Sequence, residues 1–192
     1  DLEVGENSFT IMVTAADGRT KKTYTIEVHR ISADATLADL SLTEGSITPA
    51  FDAATTSYTA LVSSSVTTVK VIPTLTDATA SVKVNGVTVV NKQQSGSINL
   101  GIGPNIITVL TTAEDGTTTR TYTVTVTRVS VDLSALSIGS GTLSQTFSPS
   151  LTTYTSVLAN AITSTTILPT AVDANSTVKV NSLVTTSGQA SS

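Results

Sequence analysis

One stretch occurs twice. Residues Gly103 to Arg128 read GPNIITVLTTAEDGTTTRTYTVTVTR, and Gly5 to Arg30 read GENSFTIMVTAADGRTKKTYTIEVHR. Gly5 matches Gly103, Asn7 matches Asn105, Asp17-Gly18 matches Asp115-Gly116, and Tyr24 matches Tyr122, at a constant offset of 98 residues. A repeat of that length is a whole small domain, so the chain is an array of such units. In the first copy Phe9, Ile11 and Val13 alternate with Thr10, Met12 and Thr14, and Tyr24, Ile26 and Val28 alternate with the polar Thr25, Glu27 and His29. Period two over this length predicts two half-buried antiparallel strands. Asp17-Gly18 and Asp115-Gly116 supply the turns, since glycine takes positive φ without strain.

Between the two copies lie enough turn signals for a complete domain. Residues 31–36 form a short polar link. Strands are predicted at Ser57 to Val62 and at Val66 to Ile72, the second stopped by Pro73, which cannot donate to a ladder. Asn85-Gly86, between Ala80–Val84 and Val87–Val90, is the strongest hairpin signal of the chain. No segment carries a sustained helical period, and at most one turn is expected around Pro49 to Thr55. Seven or so short strands with turn signals at this spacing predict an Ig-like sandwich over residues 31–128. The fold class expected is therefore all-β, as tandem antiparallel sandwiches.

The unit then starts again. Leu133, Leu136, Gly141, Phe147, Tyr154, Pro169, Asp173, Val178, Val180 and Asn181 match Leu37, Leu40, Gly45, Phe51, Tyr58, Pro73, Asp77, Val82, Val84 and Asn85, at an offset of 96. Three parts follow: residues 1–30 as the last two strands of one sandwich, 31–128 as a complete one, and 129–192 as the front of a third. Ser182 stands where the hairpin glycine would be, which weakens that turn. Set end to start, Gly188 to Asn7 runs parallel to Gly96 to Asn105 with a small insertion.

Taken together, the motifs resemble the cadherin-like β-sandwich domain of bacterial surface proteins. They are Leu-x-x-Leu-x-Leu from Leu37, Gly45, Pro49 and Phe51, Ser57-Tyr58-Thr59, Val82-Lys83-Val84-Asn85-Gly86, the Gly103-x-Asn105 pair, and Asp115-Gly116 leading to Tyr122-x-Val-x-Val-x-Arg128. The resemblance implies a tandem extracellular or cell-surface module whose shared positions are structural. It implies no catalytic residues.

Composition narrows the functions further. Hydrophobic residues are 39 % and charged residues 12 %, with a net charge of −4. No basic cluster exists to hold nucleic acid; Arg19, Lys21 and Lys22 sit beside Asp17 at a hairpin end. There is no cysteine, so disulfide and thiolate chemistry are excluded. No apolar run is long enough for a membrane helix, and no membrane insertion is expected. Asp34, Asp39, Asp77, Asp132 and Asp173 lie in or near links and loops, but calcium wants six to eight oxygens from closely spaced acids, and no Asp-x-Asp run occurs. No metal or cofactor is expected. Lys83 and Lys179 stand between two valines each and so point away from the core, unlike an isopeptide lysine. Thr123, Thr125 and Thr127 form an outward ladder that reads as the wet face of a strand. His29, on the Thr/Glu face, is expected in solvent and has no nucleophile or acid set around it, so no catalysis is expected.

The primary expectation is a repeat module of an extracellular filament, stalk or adhesin. Its partners are other copies of the chain or adjoining repeats, joined head to tail by completion of the partial sandwiches. The alternative is a glycan- or surface-binding accessory module of a secreted enzyme. Glycan platforms use exposed aromatic rings. Here there is no tryptophan, and Tyr24, Tyr58, Tyr122 and Tyr154 fall at repeated positions expected in a core or at its corner. Tyr122, Val124 and Val126 are expected buried with Thr123, Thr125 and Thr127 exposed, and Tyr24, Ile26 and Val28 are expected to repeat the pattern. Residues 9–15 and 24–28 are expected not to pair with residues 133–184.

Overall fold

The computed structural model describes residues 1–191. It is all-β, with no helix among the described residues. Strands β1 (Gly5–Thr14) and β2 (Lys21–Arg30) form a two-stranded sheet by themselves, with Phe9 opposite Ile26 and Ile11 opposite Tyr24. The largest sheet has five strands in the order β4 (Ser57–Val62), β11 (Thr119–Arg128), β10 (Gly103–Thr112), β7 (Ser81–Val84) and β8 (Val87–Val89). β3 (Leu37–Leu42) pairs with β6 (Val71–Leu75), and β5 (Thr68–Val69) with β9 (Ile98–Asn99). Beyond them β12 (Leu133–Ile138) pairs with β13 (Ile167–Ala171), and β14 (Val178–Val180) with β15 (Leu183–Thr185).

The chain divides into two compact units. One holds residues 1–59, 70–97 and 106–124; the other holds 60–69, 98–105 and residues from 125 onward. In the first, Leu37, Leu40, Tyr58, Val71, Val82, Val84, Ile107, Val109, Tyr122 and Val124 are buried, and Phe51 stacks on Tyr58 with ring centroids 5.8 Å apart. Each such side chain contributes about 1.5–3 kcal/mol by leaving water. The Tyr122 hydroxyl accepts the Leu37 N–H at 3.0 Å and donates to the Ala53 carbonyl at 3.3 Å, so the largest buried ring leaves no polar atom unpaired. In the second unit Arg128 donates from Nε and Nη2 to the Ser64 carbonyl and from Nη1 to the Leu100 carbonyl, at 2.6–3.1 Å.

The alternation of β11 places Tyr122, Val124 and Val126 in the core, as expected. Thr123, Thr125 and Thr127, expected in solvent, are half-buried. β11 is an inner strand of its sheet, flanked by β4 and β10, so its outward-facing threonines have neighbouring strands on both sides. In the first copy the expectation fails outright: Tyr24 is 47 % and Ile26 50 % exposed, and Val28 is only half-buried. Alternation decides which face a side chain takes; it does not supply a layer to cover that face.

Pro73 does not end a strand. It lies inside β6, opposite Leu40. Val71, Pro73 and Leu75 turn their backbone toward the loop at 91–95, and Ile72 and Thr74 turn theirs toward β3. The Pro73 carbonyl accepts the Lys92 N–H at 2.9 Å, while Val71 and Leu75 donate to the Ser95 hydroxyl and the Asn91 carboxamide. The missing N–H thus falls on the loop side, where no ladder needs it. Pro169 repeats this arrangement: its carbonyl accepts the Gly188 N–H, and Ile167 and Ala171 donate to the hydroxyls of Ser191 and Ser187. This corrects the end-to-start alignment. Gly188 (φ 76°) is the counterpart of Lys92 (φ 64°), not of Gly96, so the offset of 96 holds to Ser191 and no insertion is present.

Both hairpin turns keep one geometry. Asn85 and Gly86 have φ of 47° and 81°; Asn181 and Ser182 have 49° and 70°. Ser182 therefore occupies the left-handed conformation without glycine's freedom, at a cost of about 1–2 kcal/mol. Ser182→Gly is expected to stabilise β14–β15 by about 1 kcal/mol, read as slower native-state hydrogen exchange of their amides. Unchanged or faster exchange would show that the serine is unstrained there.

Candidate functional site

The two long hairpins are built alike to the level of single hydrogen bonds. The Asn105 side chain accepts the Gly101 N–H and donates to the carbonyls of Gly101, Gly103 and Val126 at 2.9–3.2 Å. Asn7 does the same with Glu3, Gly5 and Val28 at 2.8–3.3 Å. This is why the motif reads Gly-x-Asn: Gly5 and Gly103 sit at φ of 93° and 87°, and the asparagine staples the bend they make. At the far end the Asp17 carboxylate accepts from the Arg19 and Thr20 N–H groups and the Thr20 hydroxyl, and Asp115 accepts from Thr117 and Thr118 in the same way. These bonds, the threonine hydroxyl first, bring both carboxyls down to about 2. Lys22 lies 5.0 Å over the Tyr24 ring, as Arg120 lies 5.5 Å over Tyr122. Of the motif tyrosines, Tyr58 and Tyr122 are buried, Tyr154 is half-buried and Tyr24 is exposed.

What differs is cover. Ile107, Val109, Tyr122, Val124 and Val126 are each 0 % exposed. Their counterparts Phe9, Ile11, Tyr24 and Ile26 are 46–50 % exposed. Residues 129–191 show the converse opening. Leu37, Leu40, Tyr58, Val82 and Val84 are 0–3 % exposed, while Leu133, Leu136, Tyr154, Val178 and Val180 are only half-buried. The local frame there is nonetheless formed: Phe147 stacks on Tyr154 at 5.9 Å, and the Tyr154 hydroxyl donates to the Ser148 carbonyl at 2.7 Å. Two apolar faces therefore stand open, one of the kind that the other lacks. Contiguous exposed apolar surface of this sort marks an interaction site.

A second feature was not legible in the sequence. His29 stands at the surface between Glu6, 2.8 Å from Nδ1, and Glu114, 2.7 Å from Nε2. The other Glu114 oxygen accepts the Ser32 N–H at 2.8 Å, so one carboxylate holds both the link and the hairpin strand. Its partner is 85 residues away in the chain, beyond what local pattern can reveal. The hydrogen bond to Glu114, then that to Glu6, raises the His29 pKa above 6.5. Glu114 is lowered, first by the Ser32 N–H and then by His29. The bridge therefore contributes fully below pH 6.5 while the carboxylates stay ionised, is lost as pH falls through the lowered Glu114 value, and fades as pH rises through the elevated histidine value. Because the chain has one histidine, NMR titration of its ring protons reads this directly. A midpoint above 6.5 is expected, lowered more by Glu114→Gln than by Glu6→Gln. A midpoint at or below 6.5 would mean that the bridge does not persist in solution. Among the described residues no three His, Asp or Glu side chains gather as metal ligands.

The model of the cadherin-like beta sandwich domain matches residues 1–31 and 37–129. This chain belongs to that family. A protein of Evansella cellulosilytica called "Putative membrane protein" is 36 % identical over 101 residues. That match spans 53 % of this chain and 15 % of the length of the relative. No helix among the described residues is long and apolar enough to cross a membrane. Cadherin-like domains act as structural or adhesion-type modules and are typically extracellular.

Proposed function

We propose that this chain is a structural repeat module of an extracellular filament, stalk or adhesin on the cell surface, without catalytic activity. It divides into the tail of one sandwich at 1–30, a complete sandwich at 31–128 and the front of another at 129–192. Each open half is completed head to tail, by an adjoining repeat or by a second copy of the chain. The observation that carries this reading is the paired opening. Positions 0 % exposed in β10 and β11 are about half exposed in β1 and β2, and the front strands of residues 129–191 are open where those of residues 37–84 are closed. A head-to-tail contact that does not close back on itself generates a filament.

Sedimentation velocity tests it. The weight-average sedimentation coefficient is expected to rise with concentration, and boiling in SDS is expected to return the monomer band, since strand completion is non-covalent. A single, concentration-independent monomer contradicts the proposal.

A further inference from the structure

We infer that β1 of one molecule adds to β14 of a second copy in a single register, with Met12 opposite Lys179 and Ile11 opposite Val180. The inference rests on the head-to-tail reading and gives it atoms. β10 pairs antiparallel with β7, Val109 opposite Val84, Leu110 opposite Lys83 and Thr111 opposite Val82. β1 is the counterpart of β10 at an offset of 98, and β14 is the counterpart of β7 at 96. Carrying the pairs across puts Ile11 on Val180, Met12 on Lys179 and Val13 on Val178.

Two polar latches fall into place in the same register. Tyr24 takes the part of Tyr122, its hydroxyl accepting the N–H of Leu133 as Tyr122 accepts that of Leu37. Arg30 takes the part of Arg128. Its Nη1 already donates to the Leu2 carbonyl at 2.6 Å, as Arg128 donates to that of Leu100, which leaves Nε and Nη2 for the Asn160 carbonyl, counterpart of Ser64. The occupant is a second copy of this chain: within one molecule β1 and β2 pair only with each other, and they carry the counterparts of the side chains that close this face in the strands of residues 103–128. A one-residue slip would turn Phe9, Ile11 and Ile26 to the wet face, so the register is strongly specified.

The chain has no cysteine, which makes thiol cross-linking clean. Met12 is 58 % exposed and Lys179 is exposed, so cysteine at either site leaves the core intact. A Met12→Cys chain is mixed with a Lys179→Cys chain and oxidised; a heterodimer can then form only between molecules. Facing residues of neighbouring antiparallel strands have Cα atoms about 4.5–5.5 Å apart, within disulfide range. Val184 faces Lys179 from the next strand, about 10 Å from Met12 and out of range. The expected result is a disulfide-linked heterodimer for Met12→Cys with Lys179→Cys, and little or none for Met12→Cys with Val184→Cys. Absence of the first product, or equal yields for both mixtures, overturns the register. If sedimentation still shows assembly in that case, the head-to-tail reading stands and only the pairing is wrong.

Discussion

Val124→Ala lowers the unfolding free energy by about 1–3 kcal/mol, and Ile26→Ala, at the matching position of the first hairpin, leaves it within about 0.5 kcal/mol. Both are to be measured by urea denaturation followed by circular dichroism, at dilutions where the chain is monomeric. Val124 is 0 % exposed on an inner strand, so removing two methyl groups loses their transfer energy and leaves a cavity that neighbours fill only in part. Ile26 is 50 % exposed, and water fills what its truncation leaves. The pair separates sequence pattern from burial, because both residues hold the same place in the repeat. Equal losses at the two sites would mean that the first hairpin is covered within its own molecule.

Ile26→Asp abolishes assembly while leaving the monomer folded. In the free chain the new carboxylate sits on an exposed face and stays solvated. In the assembled form it would be buried among apolar side chains without a partner, which costs several kcal/mol. Each 1.4 kcal/mol is a factor of ten, so the association constant is expected to fall at least about 100-fold. Sedimentation velocity should then show monomer at concentrations where the unmodified chain polymerises, with an unchanged circular dichroism spectrum. Persistent polymer would place the contact elsewhere on the molecule.

Much of the fold was legible because it is local or repeated. The Asn85-Gly86 and Asp17-Gly18 turns need positive φ, and period two in β10 and β11 needs one buried face; both signals lie within a few residues of each other. The errors share one origin, which is that local pattern does not report what lies opposite. Pro73 reads as a breaker unless it is known that its nitrogen faces a loop. Tyr24 and Ile26 read as core because their twins are core, yet Tyr122 meets Phe51 and the Leu37 N–H, far away in the chain, and the pattern around Tyr24 does not report whether such cover is there. Gly188 resembles Gly96 by residue type, whereas the shared hydrogen bond to a proline carbonyl ties it to Lys92. The His29–Glu114 bridge joins residues from different repeats, and no spacing within one repeat encodes it.

Electron microscopy of the unmodified chain at high concentration tests the central claim most directly. Head-to-tail completion predicts unbranched filaments with one axial repeat per chain, lost in the Ile26→Asp variant. A field of isolated single particles, with Ile11, Tyr24 and Ile26 still in water, would contradict it.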